Sequence, residues 1–156
     1  MDNLRLRRRA LGMTQAQLGK IVGVSQSLIC VFEQEGQGMT MEKLLLIAEC
    51  LRTSVDYLLE RTDVAEPYPP GGGGNLRALR QGRHLTQFGL QMHTGIDQSK
   101  VSKYERGEAL PTAQNAAILA DFFHTSTDFI LDRTPVRAPH PRSQGEAEAT
   151  RLPNGE

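Results

Sequence analysis

The residues that could do catalytic or metal chemistry are few and lie far apart in this sequence. The histidines are His84, His93, His124 and His140, and no nucleophile, base and acid come together around them. Cys30 and Cys50 lack the spacing of a metal site and indicate no disulfide framework. The glycines at 71–74 are not a phosphate-binding loop, because no Gly-Lys-Ser/Thr follows them. We therefore predict that the chain is not an enzyme and uses no metal or cofactor.

The composition favours small helical domains and is silent about the partner. Hydrophobic residues make up 38% of the 156 residues, aromatic residues only 5%, and tryptophan is absent. Lys plus Arg and Asp plus Glu both number 18, so the net charge gives no sign of a nucleic-acid partner. The sequence shows no signal region and no apolar run of membrane-spanning length, so we expect a cytoplasmic protein that contacts no membrane.

The most informative feature is an internal repeat with an offset of 72 residues. Residues 3–62 align with 75–134 without a gap, and about a third of the aligned pairs are identical. Thr14 aligns with Thr86, and Glu33 aligns with Glu105. Such ordered identity indicates that one fold is used twice, and we call the two units the first and the second copy.

The repeat and the distribution of proline and glycine set the domain boundaries. We predict a first domain at 1–63, a Pro/Gly-rich linker at 64–74, a second domain at 75–135 and a disordered tail at 136–156. The tail contains several prolines and almost no bulky apolar residues, so it cannot bury enough surface to offset its ordering entropy. The sequence thus predicts two domains that fold as separate units.

Each copy is predicted to be all-α, with five short helices. Asn3 and Asn75 are candidate N-caps of the first helices. The second helices begin after Thr14, within a Thr-x-x-Gln capping box, and after Thr86, without the box. We expect Gly23 and Gly95 to close these helices in the left-handed conformation, with the third helices following Ser25 and Asp97. The fourth and fifth helices are predicted to begin after Thr40, Ser54, Thr112 and Ser126, with Asp56 and Asp128 in the first turns of the fifth.

The motifs of both copies resemble the helix-turn-helix family of phage repressors and Cro. The second copy reads Thr86-Gln87-x-x-Leu90, Gly95-Ile96-Asp97-Gln98-Ser99, Val101-Ser102-Lys103-Tyr104-Glu105-Arg106-Gly107-Glu108 and Pro111-Thr112. The first copy reads Thr14-Gln15-x-x-Leu18, Gly23-Val24-Ser25-Gln26-Ser27-x-Ile29 and Glu33. The resemblance implies two tandem lambda repressor-like domains and a sequence-specific DNA-binding transcriptional regulator of the repressor type. It also implies that the third helix of the second copy enters the major groove of double-stranded DNA.

The resemblance also implies roles for individual residues. Base contacts are expected from Gln98, Ser99, Lys103, Gln26 and Ser27, since these side chains can hydrogen-bond base edges. Phosphate contacts are expected from Gln87, Lys100, Ser102, Arg106 and Gln15. Arg8 with Glu33, and Arg80 with Glu105, are expected to form structural ion pairs between the first and third helices of each copy.

The first copy departs from the motif in its third helix. Leu28, Cys30 and Val31 occupy the outward positions of Lys100, Ser102 and Lys103, and the following loop carries an acid. One interpretation is a DNA surface in which Leu28 and Val31 touch thymine methyl groups while Arg5, Arg7, Arg9 and Lys20 bind phosphates. The other, which the sequence slightly favours, is a protein interface that joins two chains in a homodimer or binds another protein.

Two further classes of function compete with a repressor. Similar folds also serve as antitoxins of toxin–antitoxin pairs that regulate their own operons, and nothing in the sequence excludes this role. A pure protein-interaction module that has lost DNA binding is the other alternative. The polar third helix of the second copy argues against the module.

Overall fold

The computed structural model describes residues 1–72 and 76–141, and these residues form ten α-helices and no strand. The first copy contains α1 (Asp2–Ala10), α2 (Gln15–Val22), α3 (Gln26–Glu35), α4 (Met41–Cys50) and α5 (Val55–Leu58). The second copy contains α6 (Leu76–Gly82), α7 (Gln87–Thr94), α8 (Gln98–Glu105), α9 (Ala113–Phe122) and α10 (Thr127–Ile130). The prediction of two tandem five-helix units is confirmed. Asn75, the end of the predicted linker and residues 142–156 of the predicted tail lie outside the described residues.

Local capping residues determine where the helices begin and end. The Thr14 hydroxyl oxygen accepts a hydrogen bond from the Gln17 N–H, and the Gln17 side-chain oxygen accepts one from the Thr14 N–H, so the predicted capping box is present. Gly23 and Gly95 end α2 and α7 with φ angles of 73° and 74°. Glycine adopts this left-handed conformation readily because it has no Cβ atom to clash with the backbone. Asn3 is not the N-cap of α1. It lies inside the helix, and its amide donates to carbonyl oxygens of Tyr57 and Thr62.

Each copy has its own apolar core, and the two cores meet at their edge. Fully buried Leu18, Ile29 and Leu44 belong to the first core, and Leu90 and Val101 belong to the second. Ala116 of α9, in the second copy, is buried in the first core, and Ala113 and Leu131 pack against it. The two copies therefore share a buried boundary, which the prediction of separately folding units did not anticipate.

The fifth helices of the two copies cap each other. The buried Asp128 carboxylate accepts hydrogen bonds from the Val55 N–H (3.1 Å) and the Asp56 N–H (3.0 Å) at the start of α5. The buried Asp56 carboxylate accepts from the Thr127 N–H (2.9 Å) and hydroxyl (2.6 Å) at the start of α10. Burial, and then the negative charge of Asp56, raise the pKa of the Asp128 carboxyl. Each acid thus stabilises the helix of the other copy.

Two proline-containing segments, the first strap (64–69) and the second strap (136–141), lie against this boundary. The sequence places them in the linker and in the disordered tail, yet Tyr68 is buried and its hydroxyl donates to Asp56. The Tyr68 and His140 rings stack with centroids 3.8 Å apart, and the His140 N–H donates to the Tyr68 hydroxyl. The Thr62 hydroxyl donates to the Pro141 carbonyl (2.7 Å). The second strap is therefore held by specific hydrogen bonds that its low apolar content does not reveal.

Within the described part of the chain, no helix combines the length and the apolar character that crossing a membrane requires.

Candidate nucleic-acid interface

In the second copy, buried side chains and an N-cap fix the crossing of α7 and α8. Leu90, Ile96 and Val101 are all buried in the second core and hold the two helices together. The Asp97 side chain begins α8 by accepting a hydrogen bond from the Ser99 N–H (2.8 Å). Hydrogen bonds from Ser99, first from its hydroxyl, lower the pKa of the Asp97 carboxyl, so it stays ionised as a cap.

The face of α8 turned away from this core is polar and exposed. Gln98, Ser99, Lys100, Lys103 and Arg106 are exposed, and Ser102 is half-buried. The Ser99 hydroxyl donates to Asp97, so toward a ligand it is an acceptor. Arg106 pairs with Glu108 at 3.2 Å, but both side chains are more than half exposed, so this ion pair is weak and replaceable.

An open cleft of about 530 Å³ runs along this face between α7 and α8. Gln98, Ser99, Ser102, Lys103 and Arg106 line one side of it. Phe88 and Gln91 of α7 also line the cleft, and the sequence analysis assigned neither of them to the site. Phe88 is 55% exposed, and the Gln91 side chain accepts a hydrogen bond from the Gln98 N–H (2.8 Å). The signal for Phe88 was a large apolar side chain directly after the predicted phosphate-contacting Gln87.

Gln15 and Gln87, both predicted phosphate contacts, are half-buried and engaged within the protein. The Gln15 amide donates to Glu33 (2.8 Å), and the Gln87 amide donates to Glu105 (2.9 Å). Each amide nitrogen keeps a second proton, and each residue supplies a backbone N–H at the open N-terminus of its helix. These groups, rather than fully free side chains, are what Gln15 and Gln87 offer to an anion.

The structure contains both predicted ion pairs. Arg8 contacts Glu33 at 2.6 Å, and Arg80 contacts Glu105 at 2.5 Å, so each pair joins the first helix of a copy to the third. Burial alone would raise the pKa of Glu33, but hydrogen bonds from Arg8 and Gln15 outweigh it and leave the pKa below its usual value. Removing one partner of such a pair costs about 3–5 kcal/mol, because it leaves a buried charge uncompensated.

The first copy presents a different surface on α3. Gln26 and Ser27 are exposed, as predicted base contacts must be, whereas Leu28 and Cys30 are half-buried. Val31 remains 38% exposed. Leu28 lies against the loop at Gly38. A Cβ atom added to Gly38 would lie 3.2 Å from the Leu28 side chain. The exposed apolar strip is therefore smaller than the sequence indicates.

Positive charge in the first copy comes from α1 instead of α3. A cleft of about 610 Å³ is bordered by Arg5 and Arg9 together with Gln15 and Gln26. Arg9 is exposed and makes no ion pair with the described residues, while Arg5 lies 3.6 Å from Glu33. Arg7 is not available as the sequence analysis supposed, because it donates to the carbonyl oxygens of Leu51 and Arg52 at the end of α4.

The crossed pairs α2–α3 and α7–α8, each with an exposed second helix, define a helix-turn-helix protein. A family model described as helix-turn-helix matches residues 4–58 and 76–130. The chain therefore belongs to the helix-turn-helix family of the phage-repressor and Cro type, and carries its domain twice.

Two relatives agree with this assignment. Over 59 residues the chain is 41% identical to "Repressor protein C2" of Salmonella phage P22. The aligned region covers 38% of this chain and 27% of that protein. Over 66 residues it is 34% identical to "Uncharacterized HTH-type transcriptional regulator YobD" of Bacillus subtilis strain 168. The aligned region covers 42% of this chain and 59% of that protein. The chain thus spans less than two thirds of the length of either relative. No solved structure matches it.

Proposed function

We propose that the chain is a sequence-specific DNA-binding transcriptional regulator of the repressor type, and that it reads the major groove mainly with α8. The observation that carries this proposal is the two-sided character of α8. Val101 on one side is fully buried, while Gln98, Lys100 and Lys103 on the other side are exposed. A helix held rigidly by its core and polar on its outer face fits the major groove, which admits one α-helix. The names of the two relatives, a repressor and a transcriptional regulator, support the same function.

The roles within α8 follow from side-chain chemistry. Gln98 can bond adenine through two hydrogen bonds, and Lys103 can donate to the O6 and N7 acceptors of guanine. Ser99 accepts from a base donor, because its own proton is directed to Asp97. Lys100, Ser102 and Arg106 contact phosphates, and the N-termini of α2 and α7 at Gln15 and Gln87 supply backbone N–H groups to further phosphates.

Selection of bound sequences from a random double-stranded DNA pool tests this function. The wild-type chain is expected to enrich one motif, whereas the Gln98→Ala and Lys103→Ala variants lose preference at one position each. Each lost contact should reduce discrimination by about 1–3 kcal/mol. Gln114→Ala on α9 is the matched control, because Gln114 lies outside the cleft and should leave the motif unchanged. Failure of the wild-type chain to enrich any motif would contradict the function.

Association with a second protein through the first copy is a separate proposal, with a homodimer or an antitoxin's toxin as the partner. It rests on the exposure of Val31 beside Leu28 and Cys30. Because two of these three side chains are half-buried, we rank it below DNA binding by a single chain. Light scattering of the free protein at micromolar concentration tests the homodimer. A dimer mass that Leu28→Glu reduces to a monomer would favour a homodimer, and a monomer mass in the wild type would exclude one.

A further inference from the structure

The two copies are related by an approximate twofold axis. Contacts between them come in pairs that differ by the repeat offset of 72: Asp128 caps α5, and Asp56 caps α10. Tyr68 and His140 are also separated by 72 residues, and their rings stack on each other. A contact between equivalent residues can only lie on the axis itself. The single chain therefore has the symmetry that two separate subunits have in a twofold dimer.

The straps extend the repeat beyond the helices. Val64 aligns with Val136, and Pro67 and Pro69 align with Pro139 and Pro141, all at the offset of 72. Their anchoring hydrogen bonds are paired in the same way. The Thr53 hydroxyl donates to the Ala65 carbonyl, and the Thr125 hydroxyl donates to the Arg137 carbonyl, both at 2.6 Å. These bonds anchor each strap to its own copy, and the Tyr68–His140 stack and the Thr62–Pro141 hydrogen bond then join the two copies through the straps.

This symmetry relates α3 to α8, but the two helices differ in chemistry. Residues 98–106 carry Lys100, Lys103 and Arg106, whereas residues 26–35 carry no lysine or arginine. In the first copy the cleft beside α1 is lined by Arg5 and Arg9, together with Arg8, which pairs with Glu33. The residue equivalent to Arg9 in the second copy is Gln81, which has no charge. The two copies therefore differ in charge at two places: α3 lacks the cations of α8, and α6 has no counterpart of Arg9, although Arg77 and Arg80 align with Arg5 and Arg8.

We propose that one chain binds one operator composed of two unlike half-sites. This inference rests on the proposed function and adds the symmetry of the DNA site, which is not a palindrome. The second copy reads its half-site through Gln98 and Lys103. The first copy reads the other half-site through Gln26 and Ser27, with Val31 against thymine methyl groups and Arg9 on a phosphate. Two identical reading surfaces require a palindrome, whereas these two surfaces do not match each other.

The experiment uses the full chain and the DNA motif enriched from a random pool. Native mass spectrometry of the complex is expected to show one chain per duplex, and the motif to contain two different half-sites. Arg9→Ala should weaken binding several-fold and lower the slope of log affinity against log salt by about 0.9, the value for one phosphate contact. Gln81→Ala, at the equivalent position of the second copy, is the control and should leave both quantities unchanged. Circular dichroism spectra identical to the wild type show that each variant is folded.

The spacing of the half-sites gives a second readout that loss of folding cannot mimic. Inserting about five base pairs between the half-sites turns them to opposite faces of the duplex, since one turn is about 10–10.5 base pairs. Wild-type affinity should fall at least tenfold. Tyr68→Ala, which removes the ring at the axis, should reduce this penalty, and Tyr68→Phe, which keeps the ring but loses the hydroxyl, should retain more of it than Tyr68→Ala does.

Three results would overturn the inference while leaving the proposed function intact: two chains per operator, a palindromic motif, or a motif with a single half-site. Enrichment of no motif at all would instead contradict the proposed function itself.

Discussion

Substitution of Asp56 probes the boundary between the two copies, because its carboxylate connects four groups. It accepts hydrogen bonds from the Thr127 N–H and hydroxyl, from the Tyr68 hydroxyl (2.8 Å) and from Arg61 (3.3 Å). In Asp56→Ala the buried Thr127 N–H and the Tyr68 hydroxyl lose their acceptor. An unsatisfied buried donor costs about 1–3 kcal/mol. The variant no longer buries a carboxylate, and the saved desolvation free energy offsets part of this loss. We expect a loss of about 2–4 kcal/mol in the free energy of unfolding.

Urea denaturation followed by circular dichroism measures this loss from the midpoint at constant m-value. Asp63→Ala is the matched control, because Asp63 is an exposed acid close by in the sequence and its removal should cost less than about 0.5 kcal/mol. If both variants lost the same small amount, Asp56 would not cap α10, and the two copies would not be joined in the way described. A loss confined to Asp56→Ala would support a boundary that contributes to the stability of both copies.

Three other predictions concern charge and the exposed ring. Arg106→Ala should weaken binding to all DNA sequences alike and reduce the salt slope by about 0.9, measured by fluorescence anisotropy at several salt concentrations. The pKa of Glu33 is lower in the folded protein than its unfolded value near 4.5. The ionised Glu33 therefore stabilises the fold at pH values above the unfolded pKa, and this stabilisation is lost as the pH falls through the folded pKa. The stability difference between wild type and Glu33→Gln should therefore shrink in urea titrations as the pH falls through 4.5 and below. Phe88→Ala should change the enriched motif at one position, because Phe88 lines the cleft. It should change the free energy of unfolding by no more than about 1 kcal/mol, because Phe88 is exposed.

Features set by neighbouring residues could be predicted from the sequence. The capping box at Thr14 and the left-handed closures at Gly23 and Gly95 depend on contacts within one turn of helix, so their residue types carry the information. The ion pair of Arg8 with Glu33 spans 25 residues and was recognised through the family motif. Asn3 misled because an asparagine suits an N-cap locally, while its amide finds the carbonyl oxygens of α5 and Thr62 in three dimensions.

The boundary between the copies could not be predicted from local pattern. Asp56 and Asp128 each have the expected form of a first-turn acid, and their choice of the other copy's helix depends on a contact 71–73 residues away. The straps did leave a trace, since Pro67 and Pro139 obey the repeat offset. Their proline content is typical of linkers and tails, and it masks the continued repeat. Composition alone cannot distinguish a free proline-rich segment from one anchored by hydrogen bonds.

Base-specific interference tests the placement of α8 in the major groove most directly. Guanine N7 faces only the major groove, so its methylation blocks a contact made there. Partially methylated operator DNA is bound by the wild-type chain and by Lys103→Ala, and methylated positions are compared in the bound and free fractions. We expect methylation of one guanine in the second copy's half-site to exclude the wild-type chain but not Lys103→Ala. An interference pattern identical for both proteins, or none in the major groove, would contradict the assignment of α8 as the reading helix.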